Sequence, residues 1–213
     1  MNDSSFKTLA SSAQDEFTVQ KSRFIGYAAP ADTQEAALDF IRLIKEKHRG
    51  ASHHCYAYVI GKNAGVMRYQ DDGEPSGTAG QPMMEVLKQQ GLVNCCCVVV
   101  RYFGGVLLGA GGLSRAYSKG CSIAVAAAGT ALMEESVRIT LSVPYPLWDK
   151  LQHHLPSLPV QMMSAEYADQ VTATIVVRQK DSEYTQKAIT EFSDGRIHMR
   201  SDKDTFYYAW DSA

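Results

Sequence analysis

Residues 95–117 decide the fold and read Cys-Cys-Cys-Val-Val-Val-Arg-Tyr-Phe-Gly-Gly-Val-Leu-Leu-Gly-Ala-Gly-Gly-Leu-Ser-Arg-Ala-Tyr. Residues 94–103 are nearly all apolar, and most are β-branched or Cys, which predicts a strand buried on both faces of a sheet. The side chains of the Cys run would alternate between the two faces as small apolar filling. A group of glycines then opens a long helix of small residues that ends near Gly129.

The residues before this stretch predict short strands and two helices. Thr33 is a good N-cap, and apolar side chains recur after it at helical spacing until Gly50. The predicted elements are one strand or two over residues 17–29, the helix from Thr33 to Gly50, strands at 54–60 and 66–70, a polar loop at 71–82, and a short helix from about residue 83 to 90.

The character of the chain changes at residue 134, because Gly195 is the only glycine beyond Gly129. The pattern from here predicts strand, helix, strand, strand, helix and strand at residues 134–143, 146–155, 159–167, 170–178, 182–193 and 197–209. This β-α-β-β-α-β order is typical of a ferredoxin-like domain. We therefore predict an α+β protein of two domains, residues 1–133 and residues 134–213.

Charge does not mark either half as a nucleic-acid domain. The 213 residues carry a formal net charge of −2. Residues 1–133 contain 13 Lys or Arg and 11 Asp or Glu, a balance of +2, whereas residues 134–213 contain 8 and 12, a balance of −4. A local basic patch is still compatible with these values, because net charge does not report how charge is distributed.

Cysteine usage and the apolar runs predict a cytoplasmic protein. The five cysteines include no C-x-x-C pair, which argues against a zinc knuckle, and reduced thiols fit the cytoplasm. Residues 1–13 lack the apolar core of a secretory signal. The longest apolar stretch, residues 121–133, is too short to span a bilayer, so no membrane association is predicted.

The loop over residues 71–82 is the first candidate site. Its three carboxylates, Asp71, Asp72 and Glu74, lie within four positions and could bind a divalent cation or act as an acid–base pair. The alternative is a surface turn in which Asp and Gly serve turn chemistry. A loop of this length in a compact domain is often functional, so both interpretations stay open.

The join between strand and helix is the second candidate site. A helix that begins among glycines exposes unpaired N–H groups and the positive end of its dipole, which favours phosphate. The candidate anion-binding residues are Arg101, Gly109, Gly111, Gly112, Ser114, Arg115 and Lys119. The spacing matches neither a Walker A loop nor the dinucleotide fingerprint. Close helix–strand packing would also require small residues here.

Histidines and aromatic residues are further candidate members of these two sites. His53 and His54 are adjacent in a strand and face opposite ways, so at most one joins a site, and His53 fits the core better. The residues of a possible polar site are His54, Asp71, Asp72, Glu74, Tyr102 and Tyr117. Tyrosines and Phe103 interleaved with basic residues would suit single-stranded RNA, although tyrosine is also an ordinary sheet residue.

No catalytic motif is evident. A Gly-x-Ser-x-Gly elbow does not occur, and the apolar surroundings of Cys55 and Cys121 indicate inert packing rather than nucleophiles. We therefore predict no catalytic residue, no bound metal and no cofactor.

Two long motifs resemble the IMPACT family, in its bacterial branch. They are Asp-Asp-Gly-Glu-Pro-Ser-Gly-Thr-Ala-Gly-x-Pro, and Val-Val-Arg-Tyr-Phe-Gly-Gly-x-x-Leu-Gly-x-Gly-Gly-Leu-x-Arg-Ala-Tyr, together with His53-His54-Cys55. The resemblance implies an N-terminal domain of the ribosomal-protein or elongation-factor-G type with a left-handed βαβ crossover. It also implies a C-terminal ferredoxin-like domain.

The fold likenesses that the resemblance implies point toward RNA or the ribosome. Together with the missing catalytic motif, they favour a non-enzymatic protein that binds nucleic acid or the ribosome and acts in translation regulation. Eukaryotic relatives restrain a translation kinase through an additional N-terminal domain. This chain starts almost directly at the shared domain, so that partnership is not expected here.

The alternative is an enzyme of metal-assisted phosphoryl chemistry, in which residues 71–74 hold the metal and residues 109–112 hold a phosphate-bearing small ligand. Both hypotheses expect the carboxylate loop, Arg101 and Arg115 to share one polar hollow. The sequence predicts no oligomeric state.

Overall fold

A computed structural model describes residues 5–210, which form two compact units. One unit contains residues 5–133 together with residues 209–210, and the other contains residues 134–208. Residues 1–4 and 211–213, which the predicted domains include, lie outside the described residues.

The first unit is built of strands and three helices in the order β1(Ser5–Leu9), β2(Ala13–Val19), β3(Ser22–Pro30), α1(Gln34–Lys47), β4(His53–Ile60), β5(Val66–Gln70), α2(Gly80–Gln89), β6(Cys95–Tyr102) and α3(Gly109–Ala128). Its sheet has the strand order β2-β3-β6-β4-β5, and neighbouring strands are antiparallel. Strands β3 and β4 are therefore parallel, with β6 between them and α1 connecting them. The handedness of this crossover stays a prediction.

The structure differs from the prediction at several places in this unit: β1 was not predicted, and β2 begins at Ala13 rather than at residue 17. The segment 17–29 is two strands, because Gln20 and Lys21 form a tight turn with positive φ angles of 43° and 65°. Helix α2 begins at Gly80, three residues before the predicted start, so the preceding loop is shorter than predicted. The N-cap prediction is confirmed, since Thr33 Oγ1 accepts a hydrogen bond from the Ala36 amide.

Strand β6 is buried on both faces, as predicted. Cys96, Val98 and Val100 pack in the cluster that contains the apolar face of α1. Cys95, Cys97 and Val99 pack on the opposite side, with the apolar residues of α2 and α3. The run of small and β-branched side chains thus lies between two helical layers, which explains why it contains no polar residue before Arg101.

The second unit contains β7(Thr130–Val143), which begins in the first unit, then α4(Tyr145–His154), β8(Val160–Tyr167), β9(Val171–Arg178), α5(Ser182–Ser193), β10(His198–Ser201) and β11(Phe206–Trp210). The antiparallel strand order β8-β9-β7-β10 and the β-α-β-β-α-β succession are those of a ferredoxin-like domain. Apolar residues of α4 and α5 pack with alternate residues of β7 and β9. The fold is α+β, as predicted, and the strands of both sheets pair antiparallel.

Two boundaries of this unit were predicted wrongly. Strand β7 begins at Thr130, four residues earlier than expected. The last predicted strand, 197–209, is interrupted and forms β10 and β11. The Asp202 amide still donates to the Arg138 carbonyl of β7, and the chain then bends at residues 203–204. None of the helices within residues 5–210 is long and apolar enough to cross a membrane.

Helix α3 lies very close to β3 at one pair of glycines. A Cβ atom added to Gly26 would lie 2.0 Å from the carbonyl oxygen of Gly120. A Cβ added to Gly120 would in turn lie 2.9 Å from a methyl group of Val99. Real Cβ atoms do not approach backbone this closely, so the small residues of α3 are partly a packing requirement.

We expect Gly26→Ala to destabilise the first unit by about 3 kcal/mol, because α3 must move away from the sheet to admit the methyl group. The urea midpoint of unfolding measures this change. Gly50→Ala is the matched control, since a Cβ there meets nothing within 4 Å. Equal midpoints for the two variants would contradict the proposed close approach.

Candidate functional site

Glu74 and Arg101 form an ion pair inside the first unit. The guanidinium Nη1 lies 2.7 Å from Glu74 Oε1. Arg101 is only 4% exposed and Glu74 only 8% exposed. The Tyr117 hydroxyl donates to the same carboxylate oxygen at 2.8 Å. Arg101 Nη2 donates to Ser22 Oγ at 3.3 Å. The acidic loop and the end of β6 do meet, but they meet in a closed interior.

The Arg101 guanidinium is held by the protein itself. Its carbon lies over the rings of Phe24 and Phe103, 5.4 Å and 5.2 Å from their centroids. Nε of the same side chain has no hydrogen-bond partner among the described residues. A charge enclosed in this way by a carboxylate and two rings is not accessible to an external phosphate. Arg101 therefore does not lie where the anion-site hypothesis requires it.

The Asp71 carboxylate binds backbone amides of the loop and of the start of α2. Its carboxylate accepts hydrogen bonds from the amides of Gly77 at 2.8 Å, Ala79 at 3.0 Å and Gly80 at 2.8 Å. Helix α2 has no capping side chain of its own at Ala79, so Asp71 caps it from a distance and complements the positive end of its dipole. This geometry is the turn chemistry that the sequence left open as an alternative.

Asp72 links the loop to β4 and α1. Its carboxylate accepts from the His54 amide at 2.7 Å and from the Lys45 ammonium at 3.2 Å. Burial alone would raise the pKa of Asp72, but the His54 amide and Lys45 together hold that pKa below its usual value. Within residues 5–210, no three His, Cys, Asp or Glu side chains converge as metal ligands. The three carboxylates thus have separate protein partners.

His54 and Tyr102 lie on the other side of the sheet, around a histidine that sequence reasoning missed. The His48 ring accepts or donates at both nitrogens: Nε2 lies 2.6 Å from the Tyr27 hydroxyl, and Nδ1 lies 2.9 Å from the Tyr102 hydroxyl. His54 Nε2 donates to the His48 carbonyl at 3.0 Å. The predicted polar-site residues are therefore divided between two faces of one sheet.

His53 shares the face of the buried ion pair. Its Nδ1 donates to the Asp72 carbonyl at 2.9 Å, and its Nε2 lies 3.9 Å from Glu74 Oε1. The ring is half-buried, so it closes the loop over the ion pair rather than lying deep in the core.

Arg115 lies in an open groove between β2 and the start of α3. The groove has a volume of about 320 Å³. The residues that line it are Phe17, Thr18, Val19, Gln20, Leu108, Gly112, Arg115, Ala116 and Lys119. The lining contains two cations and no acidic side chain, and part of it is apolar. Gly112, Arg115 and Lys119 of the predicted anion site all belong to it.

The start of α3 adds backbone donors beside the groove. Leu108, at the N-cap position, makes no side-chain capping bond, and Gly109 has a positive φ of 67°. Gly109 and Gly111 are exposed, and Ser114 is half-buried. The first amides of the helix therefore have no side-chain cap, which is the arrangement that favours an anion.

The two cations of the groove have few internal partners. Arg115 makes no ion pair with any residue in the range 5–210, and the Lys119 ammonium lies 4.4 Å from the centroid of the Phe17 ring. Tyr117, two positions after Arg115, is fully buried on the opposite side of the helix. The predicted hollow shared by Arg101, Arg115 and the carboxylates therefore does not form: Arg101 and Glu74 are buried together with Tyr117, whereas Arg115 lines the open groove.

Comparison with known proteins identifies the family. Residues 20–125 match the Impact N-terminal domain, and residues 141–196 match the domain of unknown function DUF1949. The IMPACT family member YvyE of Bacillus subtilis is 36% identical over 202 residues, which cover 95% of this chain and 93% of that protein. The chain belongs to the IMPACT family.

Other IMPACT relatives agree with this assignment. YigZ of Escherichia coli is 34% identical over 184 residues, which cover 85% of this chain and 90% of YigZ. A crystal structure described as that of a hypothetical protein superposes with a TM-score of 0.61 at 30% identity, covering 94% of this chain and 98% of that one. The resemblance and the α+β fold predicted from the motifs are thereby confirmed.

The cysteines have the environment of packing residues. All five are free and buried. Burial raises the pKa of Cys55 and also that of Cys95, the latter to about 12. Thiolates are therefore disfavoured at both positions, which agrees with the inert role predicted for Cys55.

We expect Glu74→Gln to destabilise the protein by about 3 kcal/mol, because it leaves the Arg101 guanidinium buried without a counter-charge. Chemical denaturation measures the loss. Glu85→Gln is the control, since Glu85 pairs with Lys88 on the exposed surface of α2 and its removal costs about 0.5 kcal/mol or less. A Glu74→Gln variant as stable as Glu85→Gln would show that the buried pair does not hold the loop.

Acidification should destabilise the protein through His48. Burial first, and then Lys47 and His54, lower the pKa of His48 in the folded state. The unfolded chain therefore binds the proton more readily, and stability falls as pH drops below about 6.5 and through the lower folded-state pKa. Between about pH 7.5 and about pH 5.5, the urea midpoint of the wild type should fall more steeply than that of His48→Gln. Parallel profiles for the two proteins would exclude His48 as the cause.

Proposed function

We propose that this IMPACT family protein is a cytoplasmic, non-enzymatic RNA-binding protein that acts on translation, and that the groove between β2 and α3 binds the phosphate backbone. The observation that carries the proposal is the pair of cations, Arg115 and Lys119, in a groove without acidic side chains, beside an uncapped helix N-terminus. Phosphate contacts of this kind give most of the affinity in non-specific nucleic-acid binding.

The charge distribution supports an anionic chain as the ligand. The other predicted cation of the site, Arg101, is neutralised by Glu74, whereas Arg115 and Lys119 point outward. Arg115 and Lys119 are four positions apart on α3, so both side chains leave the same face of the helix. No observation favours the metal-assisted phosphoryl chemistry that the carboxylate loop initially offered.

The double variant Arg115→Ala/Lys119→Ala should lose most of its affinity for single-stranded RNA. Two fewer phosphate contacts should also lower the slope of log affinity against log salt by about 1.4. Fluorescence anisotropy of a labelled oligonucleotide across a salt series measures both quantities.

The control is Arg42→Ala/Lys88→Ala, which removes the same charge from exposed positions on α1 and α2. If the control lost as much affinity as the groove variant, binding would depend on net charge rather than on this groove. If neither variant changed the affinity or the salt slope, the groove would not be the binding site.

A further inference from the structure

The Phe103 side chain is an exposed aromatic surface with a fixed support. It is 47% exposed although it follows a strand that is buried on both faces. One face of its ring lies 5.2 Å from the Arg101 guanidinium carbon, and its backbone amide donates to Ser52 Oγ at 3.2 Å. Glu74 and Ser22 fix that guanidinium from behind. The ring is therefore held in place while its outer side faces solvent.

Phe103 is connected to the groove through close backbone contact. A Cβ added to Gly104 would lie 2.1 Å from the backbone carbonyl group of Lys21, so the turn at residues 20–21 packs directly against Gly104. Gln20, in that turn, lines the groove, and so does Leu108 at the far end of the same loop. The residue after Phe103 thus contacts the turn that borders the groove carrying Arg115 and Lys119.

The loop between Phe103 and the groove is also apolar. Val106 is 37% exposed and Leu107 is 85% exposed, between Gly105 and Gly109, which both have positive φ angles. A surface that has cations on one side and exposed apolar groups on the other fits a ligand that combines phosphate with a flat, weakly polar group. An unpaired nucleotide has this composition, whereas a duplex presents mainly phosphate and stacked base edges.

We propose that Phe103 is the stacking platform for an unpaired base whose phosphate lies in the groove. The proposal rests on the phosphate-binding function of the groove and adds the part of the ligand that selects single strands. It also assigns a positioning role to the buried Glu74–Arg101 pair, because this pair supports the inner face of the ring. A pre-positioned ring loses little conformational freedom when a base stacks on it.

Base stacking is tested with two probes that share a phosphate chain. One is a short oligoadenylate that contains a fluorescent adenine analogue, and the other is an abasic sugar–phosphate chain of the same length. We expect the wild type to bind the base-bearing strand about tenfold more tightly and to quench the analogue. Phe103→Leu should remove the quenching and the tenfold preference, whereas Phe103→Trp should restore both.

Tyr69→Leu provides the matched control, since Tyr69 is a half-exposed aromatic residue on β5, and it should leave the preference unchanged. Arg115→Ala/Lys119→Ala should weaken binding of both probes, which separates the two proposals. Equal affinity of the wild type for both probes would overturn the stacking proposal and leave phosphate binding intact. Failure of both probes to bind would overturn both proposals. Phe103-dependent binding to anionic lipid vesicles in place of the oligonucleotide would also overturn stacking.

Discussion

The ion pair between Glu74 and Arg101 is the constraint on which the first unit depends. It joins the loop after β5 to the end of β6, 27 residues apart in the chain, and it draws Tyr117 of α3 into the same cluster. Burial of two charges is costly, and the cost is offset only when the remaining hydrogen-bonding groups are also satisfied. Tyr117, Ser22 and two aromatic rings satisfy most of them, although Arg101 Nε has no partner within residues 5–210.

The loop at 71–79 keeps its shape through its own acidic residues. Asp71 accepts three amides at the start of α2, and Asp72 accepts one from β4. A positive φ at Asp72 and Gly73 turns the chain so that Glu74 enters the interior. The acidic residues that could have been a metal site therefore accept hydrogen bonds from backbone amides and hold the loop in a rigid turn. That turn places the Glu74 carboxylate beside the Arg101 guanidinium.

The sequence predicted the elements of this fold well where local patterns determine them. The buried strand β6, the capped helix α1 and the ferredoxin-like order of the second unit follow from periodicity, from Thr33 and from composition. The pattern could not separate the roles of Arg101 and Arg115, because that difference depends on a distant carboxylate. His48 was missed for a similar reason: its two tyrosine partners lie on β3 and β6, and nothing near it in the chain indicates them.

The glycines of residues 104–120 fall into two groups: some are required for close packing, and others shape the surface loop. Gly104 and Gly120 face backbone or side chains within contact distance, so any larger residue there would displace a neighbouring element. Gly105 and Gly109 face open space and are required only for their positive φ angles. The tight glycines fix α3 and the turn at residues 20–21, and the open ones shape the loop between them. Arg115 and Lys119 are exposed at the surface of α3, so they cost the fold little without a carboxylate partner. The same charge at Arg101 needs a carboxylate, and this difference in solvation leaves the groove, rather than the interior, free to accept an anion.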